Sequence, residues 1–176
     1  MASLAEKYNN PGCVKQNGWN EADDWETNWN RCSIDPWCGS SMKLMDNLGH
    51  AIFDDVSSGI RAMGRIIQQK YCNGKFTLNN ILDDWAPAAD TVGSVSNAAA
   101  NNPSAYADFV AFKMNSLPHV DLVLFKRDGA FIRPDSIGRL VAMMSGMSQF
   151  EAGYRWVKDS KWLQGIALLL KDFVEE

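Results

Sequence analysis

The stretch Ser57-Ser-Gly-Ile-Arg-Ala-Met-Gly-Arg-Ile-Ile-Gln-Gln-Lys-Tyr-Cys72, followed by Asn73-Gly74, reads as one amphipathic helix with its own stop signal. Ile60, Met63, Ile67 and Tyr71 recur at helical spacing on one face, while Arg61, Arg65, Gln68 and Gln69 fall largely on the other. That is the pattern of a helix laid against an apolar core. Ser57 or Ser58 offers a capping hydroxyl at its start, and Asn73-Gly74 offers residues that tolerate the left-handed conformation at its end.

Downstream, the same punctuation recurs. Thr77 caps a short helix to Trp85, which Pro87 closes. Residues 88–101 are small and polar and read as a surface connector. Asn102-Pro103 opens the next helix, with Tyr106, Val110, Lys113/Met114 and Leu117 at helical spacing. Leu122-Val-Leu-Phe125, then Arg127-Asp-Gly129, then Ala130-Phe-Ile132 fits one small β-hairpin, because Asp-Gly supplies a tight turn between two apolar runs. Pro134 or Asp135 starts a helix striped by Ile137, Leu140/Val141, Met144 and Met147, and Ser160 caps a last one carrying Trp162/Leu163, Ile166 and Leu169/Leu170. Met143, Met144 and Met147 read as core rather than as an adaptable binding surface. The fold class is mainly α.

Upstream, the chain changes character. Residues 1–50 are rich in Asn, Gly, Trp and Cys, are interrupted by Pro11 and Pro36, and hold no sustained period. They read as an irregular region packed on a helical body spanning residues 51–176, the whole forming a single domain. Such a segment has little backbone pairing of its own and must be pinned by bridges or by indole rings.

The chain has 176 residues, 46% of them hydrophobic, and a formal net charge of -4. This is enough material for one core. The Lys and Arg residues are scattered singly, which argues against nucleic acid as a partner, since phosphate neutralisation needs a concentrated basic face. No apolar run approaches the roughly 18 residues needed to span a bilayer, so no transmembrane segment is expected. Met1-Ala-Ser-Leu-Ala-Glu6-Lys7 lacks an apolar stretch after a basic start, so no signal peptide is expected either. Cys13, Cys32, Cys38 and Cys72 allow one or two disulfides, with buried thiols as the alternative. Their spacing, and that of His50 and His119, suits no metal site.

The sequence holds no phosphate-cradling Gly loop, no G-x-S-x-G and no H-E-x-x-H, so neither a cofactor nor a nucleophilic triad is expected. What remains is carboxylate chemistry among aromatic and amide side chains. That combination suits saccharides: Trp faces stack on sugar rings, Asn reads hydroxyls, and Glu or Asp protonates a glycosidic oxygen. Glu21, Asp23, Asp24 and Glu26 stand among Trp25 and Trp29, either lining a cleft or forming a plain solvated surface. Asp54-Asp55 places negative charge before a helix N-terminus. Arg61 suits an ion pair with one of these two or with a substrate carboxylate.

Tyr8-Asn9-Asn10-Pro11-Gly12, then Ile52-Phe53 leading to Gly59-Ile60-Arg61-Ala62-Met63, then Trp85-Ala86-Pro87, Asn102 with Tyr106, and Glu151-Ala152-Gly153 resemble a family of bacteriophage and prophage structural proteins. In that family N-N-P-G, F-x-S-x-E-x-G-I-R-A, W-A-P and H-E-N-G occur in this order, and the match covers roughly residues 8 to 157. The Asn-Asn-x-Gly, Phe, Gly-Ile succession is also similar to bacterial glucosaminidases of the lysozyme-like superfamily. Here Ser57 stands where the family has Glu in its helix start, and Phe150 and Ala152 flank Glu151 where the family has His and Asn.

The resemblance implies a lysozyme-like helical domain of the virion. It would open host peptidoglycan in the periplasm or at the cell envelope to help the phage genome in. A carboxylic acid would protonate the glycan's leaving oxygen, with water or the sugar's own 6-hydroxyl completing the reaction, as in a lysozyme or a lytic transglycosylase. The candidate acids are Glu6, Asp54, Asp55 and Glu151, and the candidate substrate-binding residues are Asn9, Asn10, Trp25, Trp29 and Arg61. The partners would be peptidoglycan glycan strands and other virion or tail proteins. A non-enzymatic virion or tail component keeping the same fold is the alternative.

Overall fold

In the computed structural model, residues 2–15, 46, 49–87, 102–128 and 131–175 are described. Trp25, Trp29, Cys32, Cys38, the acidic run from Glu21 to Glu26 and the 88–101 connector lie outside them. The described chain is mainly helical. It runs α1 (Leu4–Lys7), α2 (Val56–Cys72), α3 (Leu78–Trp85), α4 (Pro103–Met114), β1 (Phe125–Asp128), β2 (Phe131–Pro134), α5 (Ile137–Ala152) and α6 (Asp159–Glu175). None of the described helices is long and apolar enough to cross a membrane.

Helix α2 is the central rod. Its cap is Asp55 rather than a serine: the carboxylate accepts from the Ser57 N–H at 2.8 Å and from the Ser57 hydroxyl at 2.5 Å. A carboxylate here also meets the positive end of the helix dipole, so it serves better than the hydroxyl expected from Ser57 or Ser58. Asn73 and the positive-φ Gly74 end the helix as its sequence implies. Ile60, Met63 and Ile67 are fully buried.

Helices α2 and α6 pack along each other, and glycines set how closely. A Cβ on Gly64 would run into Leu169, and one on Gly165 into Ile60 and the Ser57 carbonyl. The contact is tied at its rim by Arg61, which grips Asp172 with two bonds of 2.7 and 2.8 Å. Arg61 thus forms an ion pair, but with Asp172 of α6 rather than with Asp54 or Asp55. Those two sit at the opposite end, where Lys161 of α6 reaches Asp55 at 2.6 Å.

Helices α4 and α5 form the second layer. Asn102 caps α4, with Pro103 in its first turn, and the left-handed Asn115 stops it, which leaves Leu117 beyond the helix and exposed. Ser136 caps α5, two residues past the Pro134 start suggested by sequence, because Pro134 belongs to β2. Likewise α6 begins at Asp159, so Ser160 lies inside its first turn. Met143, Met144 and Met147 are wholly buried and are core. The two strands pair antiparallel as a small hairpin, but further along the chain than the sequence suggests: Arg127 and Asp128, expected in the turn, lie in β1 opposite Ile132 and Phe131, and residues 122–124 precede the strand.

The N-terminal segment is fastened to this body by amides. Asn10 is buried, donates to the carbonyls of Val14 and Ala51 at 2.9 Å each, and accepts from the Val14 N–H at 2.8 Å. Asn9 donates to the Phe53 carbonyl at 2.9 Å. Residues 8–15 therefore run beside residues 50–53, with Phe53 N–H bonded to the Tyr8 carbonyl and Lys15 bridged to His50. Pro11 and the Asn9 carbonyl press on Gly59, where any side chain would collide. Gly12 sits over Trp85, whose indole N–H donates to the Gly12 carbonyl at 3.1 Å.

Candidate functional site

Gly59 and Trp85, far apart along the chain, thus both pack on the segment Asn9–Gly12. The loop they hold delivers Cys13, in a left-handed conformation with φ 48°, to the end of α5 where Glu151 lies. Neither Cys13 nor Cys72 is half of a bridge, which removes both from the expected disulfides, and Cys32 and Cys38 lie outside the described residues.

Glu151 is the most perturbed of the candidate acids. The residue as a whole keeps some exposed surface, but its carboxyl end is turned inward. The hydroxyl of Tyr106 donates to Oε1 at 2.8 Å, and the Cys13 thiol stands near the same carboxyl. Burial pushes Glu151 up to about 7, and the Tyr106 hydroxyl and the Cys13 thiol, which favour the ionised form, pull against that rise. Burial, then the nearby Glu151 charge, also raises Cys13 and Tyr106 well above their usual ranges, so both remain protonated donors at neutral pH.

The surroundings are aromatic. Phe150 stacks on Tyr106 with ring centroids 4.0 Å apart and planes 12° from parallel, and Phe109 tilts against Phe150 at 5.5 Å. Phe150 and Tyr154, on either side of Glu151 in the chain, are each about two-fifths exposed. On the far side of Cys13, Asp46 pairs with Nδ1 of His50 at 3.0 Å, and its charge is felt at the thiol.

The other expected acids are placed differently. Asp55, held down to about 2 by Lys161 and Ser57, is ionised at any physiological pH and cannot act as a proton donor. Asp54 is exposed, and its backbone carbonyl receives the Asn9 amide at 3.3 Å. Glu6 lies on α1, which packs against α5, and accepts a hydrogen bond from Tyr154 near Glu151. Asn9 and Asn10, expected to read substrate, instead spend their amides on the backbone of residues 14 and 51–54. Arg61, also expected to meet substrate, is engaged by Asp172. Trp25 and Trp29 lie outside the described residues.

Tyr106 and Cys13 are partners of Glu151 that the sequence did not assign to the site. Tyr106 reads there as an apolar position on a helical face and as one residue of the resembled motifs, and Cys13 as a bridge candidate. A scan against protein-family models finds no match to the chain, and a search of curated proteins finds none either.

Proposed function

We propose that the protein cleaves the glycan strands of peptidoglycan, with Glu151 as the general acid. The observation that carries this reading is a single carboxyl group, buried and raised to about 7, set beside exposed aromatic rings. A general acid works best when its pKa lies near the working pH, because it is then both protonated and willing to give the proton up. Glu151 gives its proton to the glycosidic oxygen as the bond from that oxygen to the anomeric carbon breaks. The oxygen of water or of the sugar's own 6-hydroxyl then bonds the anomeric carbon and passes its proton to the Glu151 carboxylate, which restores the acid. Phe150 and Tyr154 offer faces for sugar rings.

The expected resemblance agrees with this reading: Glu151 is the acid of its late motif, and Gly12, Gly59, Trp85 and Tyr106, residues of its other motifs, lie in the packing that surrounds the Cys13 loop and Glu151. In that setting the protein acts as a virion-associated enzyme of the host periplasm or envelope, lysozyme or lytic transglycosylase in type. Purified sacculi test it: the parent clears their turbidity, Glu151→Gln does not, and Asp54→Asn and Asp55→Asn both do. The alternative, a non-enzymatic virion or tail part, draws support from Phe112 and Leu163, which are 80% and 73% exposed. An inert parent protein selects it.

A further inference from the structure

We infer that the strip of side chains leading outward from Glu151, formed by Phe150, Phe109, Lys113 and Phe112, is a subsite for an acidic saccharide, its rings taking a sugar face and its lysine a carboxylate that hangs from the glycan. This subsite rests on the reading of Glu151 as the acid of glycan cleavage and names the ligand chemistry beside it.

Helix α4 does not need these rings for its core. Tyr106, Ala107, Val110 and Ala111 are its buried positions, and it packs on α3 and α5. Tyr106, Phe109 and Phe112 recur every third residue, which falls short of a full turn, so each ring is rotated roughly 60° round the helix from the one before. The aromatics therefore walk out of the core: Tyr106 is enclosed, Phe109 is half-buried and Phe112 is largely exposed. Phe150 of α5 joins the first two, stacked on Tyr106 and tilted against Phe109. Glu151 follows Phe150 in the chain and accepts from the Tyr106 hydroxyl, so the strip begins at the acid.

Lys113 gives the strip its charge. Its side chain leans back along the helix, as helical side chains do, and sets Nζ 5.2 Å from the Phe109 ring centroid and 6.0 Å from that of Phe112. Among the described residues it meets no carboxylate, whereas Arg61, Lys70, Arg155 and Lys161 each do. Asp108, on the same helix, projects about 140° round from Lys113. The ring faces hold the ammonium in place and leave it available to an incoming anion.

Rings that end in a cation match a sugar whose C–H face packs on aromatics and whose substituent carries a carboxylate. Peptidoglycan offers that carboxylate from two sources, the lactyl ether of alternate sugars where it is bare and the stem peptide where it is substituted. Chitin, built of the same amino sugar, offers none.

The test is titration calorimetry of the full chain carrying Glu151→Gln, which keeps the ligands intact, against three saccharides of matched length: glycan stripped of peptides, glycan bearing stem peptides, and neutral N-acetylglucosamine oligomers. Lys113→Gln, Phe109→Leu and Phe112→Ser are compared in the same background. The subsite predicts that an acidic strand binds roughly three- to fivefold more tightly than the neutral one, that salt erodes this advantage, and that Lys113→Gln abolishes it. Phe109→Leu weakens all three ligands. Preference for the stripped strand assigns the lactyl group as the source, and preference for the substituted strand assigns the stem peptide. Equal binding of acidic and neutral strands, no saccharide binding, or discrimination retained in Lys113→Gln overturns the subsite. So does self-association that Phe112→Ser abolishes while saccharide binding stays unchanged, which assigns the strip to a second copy of the chain. Lys113 and Phe112 are exposed, so their variants decide even if Phe109→Leu fails to fold. Sacculus clearing by the parent without this discrimination removes the subsite and leaves the role of Glu151 standing; discrimination without clearing does the reverse.

Discussion

Tyr106 and Glu151 lie 45 residues apart on two different helices, and the phenol of one donates to the carboxyl of the other at 2.8 Å with the tyrosine fully enclosed. This bond ties α4 to α5 at the point where the chain keeps a carboxyl group out of water. A protein tolerates such a group by keeping it protonated, by pairing it, or by bonding it; Glu151 is bonded, and its proton is lost only near neutrality.

Stability therefore depends on pH through Glu151. The carboxyl is raised from 4.5 to about 7 on folding, so the contribution is fully present below 4.5 and is lost as pH rises through 7. The loss is on the order of 3 kcal/mol. Denaturant unfolding of the parent at pH 5 and pH 8 shows it, and Glu151→Gln, which has no proton to lose, removes most of the difference.

Asp55 has the opposite sign. Its carboxyl is lowered from 3.8 to about 2, so its contribution is present above 3.8 and is lost as pH falls through 2. Its side chain is 43% exposed, so solvent screening keeps the ion pair small, and loss of the cap dominates. Asp55→Ala costs about 1 kcal/mol at pH 7 by the same unfolding measurement and leaves sacculus clearing intact.

Asn10→Ala removes the side-chain partner of the Ala51 carbonyl and of the Val14 N–H, while the Val14 carbonyl still accepts from the Ala51 N–H at 2.9 Å. A buried group stripped of its partner costs roughly 1–3 kcal/mol before relaxation. Unfolding should show a loss of at least about 2 kcal/mol. Because Asn10 holds the loop that carries Cys13, hydrogen exchange at residues 12–15 should quicken as well. A substrate-reading residue would instead leave stability and exchange unchanged.

The order of the elements from residue 57 onward was legible because the helices carry local signals: Thr77, Asn102-Pro103 and Asn73-Gly74 act within a few residues. Starts slipped where two caps competed. Asp55 displaced Ser57 because a carboxylate serves the helix dipole better, and Ser136 displaced Pro134 because a strand claims Pro134. The site was legible only in part. Glu151 was one of four acids in view, and nothing local to it announces Tyr106 or Cys13, which reach it through packing set by Gly59, Trp85 and the Asn10 amide. Arg61 could be read as half of an ion pair, but its partner, Asp172, lies 111 residues away.

Glycines 64 and 138 should respond in opposite directions to alanine. Alanine favours a helix by about 1 kcal/mol over glycine, and at Gly138 nothing obstructs the added carbon. At Gly64 the same carbon meets Leu169, and overpacking of that kind costs roughly 1–3 kcal/mol. Thermal unfolding should rank Gly138→Ala above the parent and Gly64→Ala below it, with Leu169→Ala relieving part of the second penalty in the double variant.

The central claim is that Glu151 delivers the proton that breaks a glycan strand. Its most direct test is chromatography of soluble muropeptides released from purified sacculi at pH 6 by the parent and by Glu151→Gln, both shown to unfold cooperatively. The account predicts release by the parent and a loss of roughly 10²–10⁴-fold in the glutamine variant. Equal release by the two proteins, or none by the parent, would contradict it.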